Sequence, residues 1–274
     1  MAKAKWQKIL RYPDGSESVV IRGDKTLLEL IQEKPSGRWD PEYWHPYYEQ
    51  VFSTARSDLV AKPLADLLET PIIAPDHVRA SKDERIGRRY SCEYRTLKDL
   101  LFTGLEYVEI NYCSDNAYQR LRRSQMMVGD ILFAGSGVGA IGRVGIVEAV
   151  SPKSCVGDLF IIRNPRVNPH YLYVYLLTEF GQSQVRRIFH GIQSAKISTT
   201  EIGLIRVLVP DDRIQRSVAA EYKNMSVYHD KAMEAKKNGD QRKYEKNIQI
   251  AEKMLKDLIA RTEAVIRGER DDVI

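Results

Sequence analysis

The sequence is poor in the residues on which most site chemistry is built. Its 274 residues contain three cysteines, Cys92, Cys113 and Cys155, far apart and without a Cys-x-x-Cys pair. An odd count at such spacing argues against a disulfide framework and against a zinc knuckle, and reads as buried or incidental thiols in a reducing compartment. The five histidines, His45, His77, His170, His190 and His229, show no His-x-x-x-His spacing, so no metal site is expected. No uninterrupted apolar run approaches the roughly 20 residues that span a bilayer. The basic stretch Met1–Lys8 is not followed by the apolar core of a signal peptide. The expectation is a cytoplasmic protein without membrane contact. No internal repeat is visible.

What is present is ordinary for a globular chain: 43% hydrophobic and 29% charged residues, enough length to bury a sizeable core. Lysine and arginine number 42 against 37 acidic residues, a net charge of +5. Such a mild basic excess permits an acidic partner such as nucleic acid without requiring one.

The stretch GDILFAGSGVGAIGRVGIVEAV, residues 129–150, contains a literal G-x-G-x-x-G at Gly137, Gly139 and Gly142. In a dinucleotide site that loop opens a helix, whose free N–H groups hold the pyrophosphate. Here Arg143-Val144-Gly145-Ile146-Val147 follows, a β-branched, glycine-interrupted run that predicts a strand. The stretch is therefore read as strand, glycine turn, strand, and a nucleotide-dependent enzyme is disfavoured. The Gly-Ser-Gly at 135–137 lacks the nucleophile-elbow pattern, and Arg163-Asn164-Pro165-Arg166 lacks the aromatic of a base-methylating loop. No catalytic residue is assigned, which favours a binding protein.

Along the chain, residues 5–22 read as a β-hairpin turning at Pro13-Asp14-Gly15, followed by a short amphipathic helix capped by Asp24. RWDPEYWHPYYEQVF concentrates Trp39, Tyr43, Trp44, Tyr47, Tyr48 and Phe52, a packing segment or else a base-stacking surface. LVAKPLADLLE reads as a short helix or turn. Residues 72–210 mix short strands with one clear helix, PHYLYVYLLTEFGQSQVRRIF, whose Leu172, Tyr175, Leu176 and Phe180 fall at helical spacing. IGLIRVLVP closes this part as a buried strand. From Asp211 the composition turns to Lys, Glu, Ala, Gln and Ile. Ile248, Ala251, Leu255, Leu258, Thr262 and Val265 recur in steps of three and four, an a/d seam. This end is one long helix or an antiparallel hairpin. Asn238-Gly239-Asp240 favours the hairpin, with arms of about 40 Å at ~1.5 Å per residue.

Several stretches together resemble the specificity (S) subunit of type I restriction-modification systems: KPLADLL at 62–68, YRTLKDL at 94–100, VGDILFAGSGVGAIGRVGIV at 128–147, DLFIIRNPRVNPHYLYVYLLTEFGQSQVRRIFHGIQSAKISTTEIGLIRVLVP, and the C-terminal helical stretch. Their order also agrees, over roughly residues 39–267. The resemblance implies an α+β fold: a mixed, β-rich target recognition domain with packed helices, followed by a long helix or coiled-coil hairpin. It divides the chain into an N-terminal hairpin and helix (1–38), a recognition domain (39–210), a helical spacer (211–268) and a tail (269–274). Full S subunits usually carry two recognition domains and two spacers; one of each implies a half-subunit that dimerises, or a variant in a related phage-defence system.

By that resemblance the chain is a non-catalytic specificity subunit that reads a half-site in double-stranded DNA and docks an adenine methyltransferase, with a restriction or translocase subunit as a further partner. S-adenosylmethionine, ATP and Mg would sit on those partners and none on this chain. The residue types suit phosphate and base-edge contacts. Arg79, Lys82, Arg85, Arg88 and Arg89 crowd one segment, and Arg120, Arg122 and Arg123 a second. Arg186, Arg187, His190 and Lys196 form a third, interleaved with Gln182, Gln184, Gln193 and Ser194; Ser136 and Arg143 flank the glycine turn. The seam residues Ile248 to Val265 are the expected partner interface. A reading from another class stays open: a scaffold that binds protein partners without reading DNA.

Overall fold

The computed structural model describes residues 7–11, 17–21, 47–78, 86–87, 89–137, 139–189 and 197–274, the first two segments as backbone alone. Strands β1 (Gln7–Arg11) and β2 (Glu17–Ile21) pair antiparallel, Gln7 opposite Ile21, as the Pro-Asp-Gly signal requires. That turn, the helix expected after Asp24, and Trp39, Tyr43 and Trp44 lie outside the described residues.

The aromatic segment ends in helix α1 (Tyr47–Ser53), which buries Tyr48 and Val51. Phe52 meets Phe180 edge to face at 5.9 Å, so this residue packs against the core. Strand β3 (Val60–Pro63) follows and leads into a 3-10 turn over Leu64–Leu67, where a helix or turn alone was expected. Then come β4 (Cys92–Arg95), the tight pair β5 (Leu100–Leu101) and β6 (Gly104–Leu105), β7 (Asn111–Cys113) and helix α2 (Asp115–Arg120). The Ser114 hydroxyl accepts from the Ala117 N–H and caps α2. Strands β8 (Ile131–Phe133), β9 (Val144–Ile146), β10 (Ser154–Val156) and β11 (Phe160–Ile162) precede helices α3 (Pro169–Leu177), α4 (Glu179–Phe189) and α5 (Thr199–Gly203), strand β12 (Arg206–Val209), and helices α6 (Asp212–Lys237) and α7 (Gln241–Arg267).

The strands form small sheets. β8 lies between β9 and β11, both antiparallel to it; β4 lies between β10, parallel, and β7, antiparallel; β12 pairs antiparallel with β3. The single helix expected over 169–189 is two. The Thr178 backbone is extended, its hydroxyl donates to the Tyr175 carbonyl, and Gly181 then lies so close that a Cβ would sit 2.6 Å from that same oxygen. Apolar periodicity runs through the break because α3 is buried on every side: Tyr171 to Leu176 are all enclosed.

The C-terminal hairpin forms as the turn signal predicts, with Gly239 at φ +71° and Asp240 capping α7 through the Lys243 N–H. It is packed along its own length and onto α3. One apolar cluster joins Leu64, Phe133, Ile146, Tyr173, Val207, Val218, Leu255 and Val265. The core is thus continuous across residue 211. No helix of the described residues is long and apolar enough to cross a membrane.

Candidate nucleic-acid interface

The glycine turn links β8 to β9 as a closed loop. Gly142 N–H donates to the Ala134 carbonyl and Ala134 N–H to the Arg143 carbonyl, both at 2.9 Å. Gly137, Gly139 and Gly142 all have positive φ. No helix follows, so no N-terminus faces the loop. Gly142 packs onto α4: the Gln182 side-chain amide donates to its carbonyl at 3.0 Å, and a Cβ would fall 2.7 Å from Val185. The glycines are needed for backbone geometry and close packing. The turn leaves Arg143 exposed and Ser136 half-exposed. The chain re-enters at Ile197, whose N–H donates to the Gly135 carbonyl at 3.0 Å. Gln193, Ser194 and Lys196 lie outside the described residues, as do His190, Arg88, Arg79, Lys82 and Arg85.

At the end of α2 the arginines divide by role. Arg120 ion-pairs with Asp76 at 2.9 Å and donates to the His77 carbonyl. Arg122 and Arg123 stand exposed on the next turn, with no ion pair among the described residues. That turn is anchored on both sides. Leu121 is buried, Met126 N–H donates to the Ser154 carbonyl, and Arg163 donates to the Gln125 carbonyl while gripping Asp130 through two bonds of 2.8 and 2.7 Å. Arg89 is exposed and lies over the Tyr90 ring, its guanidinium 5.0 Å from the ring centre.

The α4 cluster does other work. Arg187 is largely buried and binds Glu49 at 2.7 Å; Arg206 shares that carboxylate at 3.1 Å and lies 4.0 Å over the Phe52 ring. Burial opposes the charge on Glu49, but hydrogen bonding and attraction from the two guanidiniums outweigh it and hold its pKa below the ordinary value. Arg186 pairs with Glu179, which also accepts from the Tyr47 hydroxyl. Gln182 and Gln184 are spent on backbone carbonyls, Gln184 on those of Phe180 and Arg206. These residues staple α1 and β12 to α4: Arg187 is largely buried on Glu49, whereas Arg186, paired with Glu179, keeps an exposed side chain.

The seam is also revised. Ala251, Leu255, Leu258, Thr262 and Val265 are all enclosed within the chain's own core and offer no surface to a partner; Ile248 alone stays half-exposed. A seam read from sequence does not say which chain fills it, and here α6 and α3 do.

Two solved chains are distantly similar to this one. A chain from a structure concerned with complex assembly and conformational transition of the type I R-M system is 13% identical at a TM-score of 0.47, with 85% of this chain and 56% of that one covered. The HsdS subunit from Thermoanaerobacter tengcongensis is 13% identical at a TM-score of 0.45, with 64% and 44% covered. The chain spans about half the length of these solved chains. No family model and no curated protein matches it.

Two features escaped the sequence. The three cysteines, remote in the chain, converge on one small core, with Cys113 and Cys155 sulfurs 3.8 Å apart. They stand on β7 and β10, separated by β4. Strands two apart lie roughly 9–10 Å from each other, beyond the reach of a disulfide. Among the described residues no group of three or more His, Cys, Asp or Glu is placed to hold a metal. The second is His229, fully enclosed between Thr103, at 2.8 Å, and the Leu105 carbonyl, at 2.9 Å. It ties α6 to the β5–β6 tip, and only the unusual Gly104 at φ +159°, where a Cβ would crowd the ring at 3.0 Å, hints at it.

Proposed function

We propose that this chain reads a half-site in double-stranded DNA on behalf of a modification or restriction complex and performs no chemistry of its own. The observation that supports this best is the Arg122–Arg123 pair: two exposed guanidiniums, unpaired among the described residues, on a turn braced by a buried ion pair. Two adjacent charges left without partners on a rigid mount suit phosphate oxygens, where each contact releases counterions. Arg143 and Ser136 on the glycine turn, and Arg89, extend the candidate surface. The ordered sequence motifs supply the family expectation. On this reading an adenine methyltransferase, with or without a nuclease subunit, brings S-adenosylmethionine, ATP and Mg, and docks on the outer face of the hairpin. The stretch of α7 from Gln241 to Ile250 has no fully buried residue and displays Ile248.

The test is duplex binding over a salt series, after selecting bound sequences from a random duplex library. Replacing Arg122 and Arg123 together by alanine should lower the slope of log K against log salt by about 2, near 0.9 per phosphate lost, with thermal unfolding unchanged. A wild-type chain that binds no duplex, or a double variant with an unaltered slope, overturns the reading.

A further inference from the structure

Beside the turn that carries Arg122 and Arg123, the chain presents a face of different character. A groove of about 670 Å³ opens between the turn after β3 and helix α5, floored by Leu68, Pro71, Ile72 and Leu204. Its rim carries Asp66 and Glu69, both exposed and neither in an ion pair among the described residues. Glu69 also lines a second depression of about 260 Å³ with Val128, Pro165 and Pro169, so the two form one surface. Val128 beside it is 63% exposed and Met127 is 53% exposed, core-type side chains left bare in a turn that has no freedom to fold them in. Met127 N–H is held by Asp130 at 2.8 Å, and Asp130 by Arg163. The walls are tied as well: Glu69 N–H donates to the Asn164 carbonyl at 3.1 Å and the Thr70 hydroxyl to the Arg163 carbonyl at 3.2 Å. These bonds tie both walls of the surface to the fold.

We propose that this face docks a peptide segment of a partner protein that carries apolar side chains flanked by lysine or arginine. A contiguous apolar surface with a polar rim marks a protein-binding site. Charge decides the occupant. Asp66 and Glu69, in no ion pair among the described residues, disfavour phosphate in the groove itself. In a chain of net charge +5 they are the complement of a basic segment. The proposal goes beyond the DNA reading and stands without it.

The experiment selects a random peptide display library on the immobilised full chain. It then measures the recovered peptides by fluorescence anisotropy against wild type, Asp66→Lys/Glu69→Lys and Thr200→Trp, which fills the groove from its exposed side. Peptides pairing lysine or arginine with large apolar residues are expected, with affinity at least 10-fold weaker for the charge-reversed chain and lost for Thr200→Trp. Unfolding curves and duplex binding of both variants should match wild type. Peptides without basic residues, or equal binding to all three chains, overturn the proposal. So does wild-type dimerisation in sedimentation that Thr200→Trp abolishes, which assigns the face to a second copy. Loss of duplex binding in these variants assigns it to DNA and overturns it too.

Discussion

Asp130 is enclosed yet charged, and everything around it is arranged to satisfy that charge. Arg163 binds both its oxygens, and Met127 N–H donates to one of them. Taking away one member of such a pair leaves the other buried without compensation, a cost of about 3–5 kcal/mol. Asp130→Asn should destabilise the chain on that scale in urea titration and loosen the turn that presents Arg122 and Arg123. Asp130→Asn with Arg163→Met should cost less than the sum of the single changes, and strict additivity sinks the coupling. His229 makes the opposite kind of demand. The Leu105 carbonyl can only accept, so Nε2 carries the proton and Nδ1 accepts from Thr103. Burial depresses its pKa below 6.5, against the pull of the Leu105 carbonyl, Asp230 and Glu106. The unfolded chain therefore takes up the proton first. Stability is complete above about pH 6.5 and falls as pH drops below it toward the folded value. Denaturation midpoints at pH 7.5 and 5.5 should show that loss. His229→Gln should lower stability at pH 7.5 and flatten the pH dependence between the two; an unaltered slope assigns the titration to another group.

Between elements, what matters is who covers whom, and sequence reports that unevenly. The C-terminal hairpin was legible because Asn238-Gly239-Asp240 is local turn chemistry. The β8–turn–β9 unit was legible because β-branched residues follow Gly142. The break at Thr178 was not, since it rests on Gly181 fitting against the Tyr175 carbonyl while the apolar pattern runs on unbroken. The β3–β12 pairing was not legible either, because it joins Val60–Pro63 to Arg206–Val209 across most of the chain. The site divides in the same way. Arginine clusters are visible as residue types, but whether an arginine is free depends on carboxylates remote in sequence: Glu49 engages Arg187, while nothing among the described residues engages Arg122. The a/d seam of α7 carries the sharpest consequence. Leu255 and Leu258 fill the chain's own core, so Leu255→Ala should cost about 2–5 kcal/mol. Introducing a charged residue at both positions should abolish the cooperative unfolding transition. Preserved thermal unfolding with loss only of partner binding would return the seam to an intermolecular role.

At the scale of the whole molecule, the division suggested by the change of composition at Asp211 does not coincide with a division of the core. Tyr222 on α6 packs 5.2 Å from Tyr173 on α3, and His170 lies against the same ring at 5.1 Å. Tyr173, in turn, donates to the Phe102 carbonyl at the β5–β6 tip. At the far end Arg56 N–H donates to the Ile266 carbonyl, bringing the close of α7 back to the chain after α1. Helix α3 is buried on all sides only because α6 and α7 complete its surroundings. A chain ending at residue 210 exposes Tyr173, Val174 and their neighbours to water, at about 25 cal/mol for each Å² uncovered. Such a truncated chain should show no sharp thermal transition and no near-ultraviolet tyrosine dichroism. The full chain should unfold once, with far-ultraviolet and tyrosine signals superimposing. A truncated chain with native-like tyrosine signals would instead establish the recognition part as a unit that folds alone, with the hairpin added to it. In the continuous-core arrangement the hairpin is joined through Tyr222 and His229 to α3 and the β5–β6 tip.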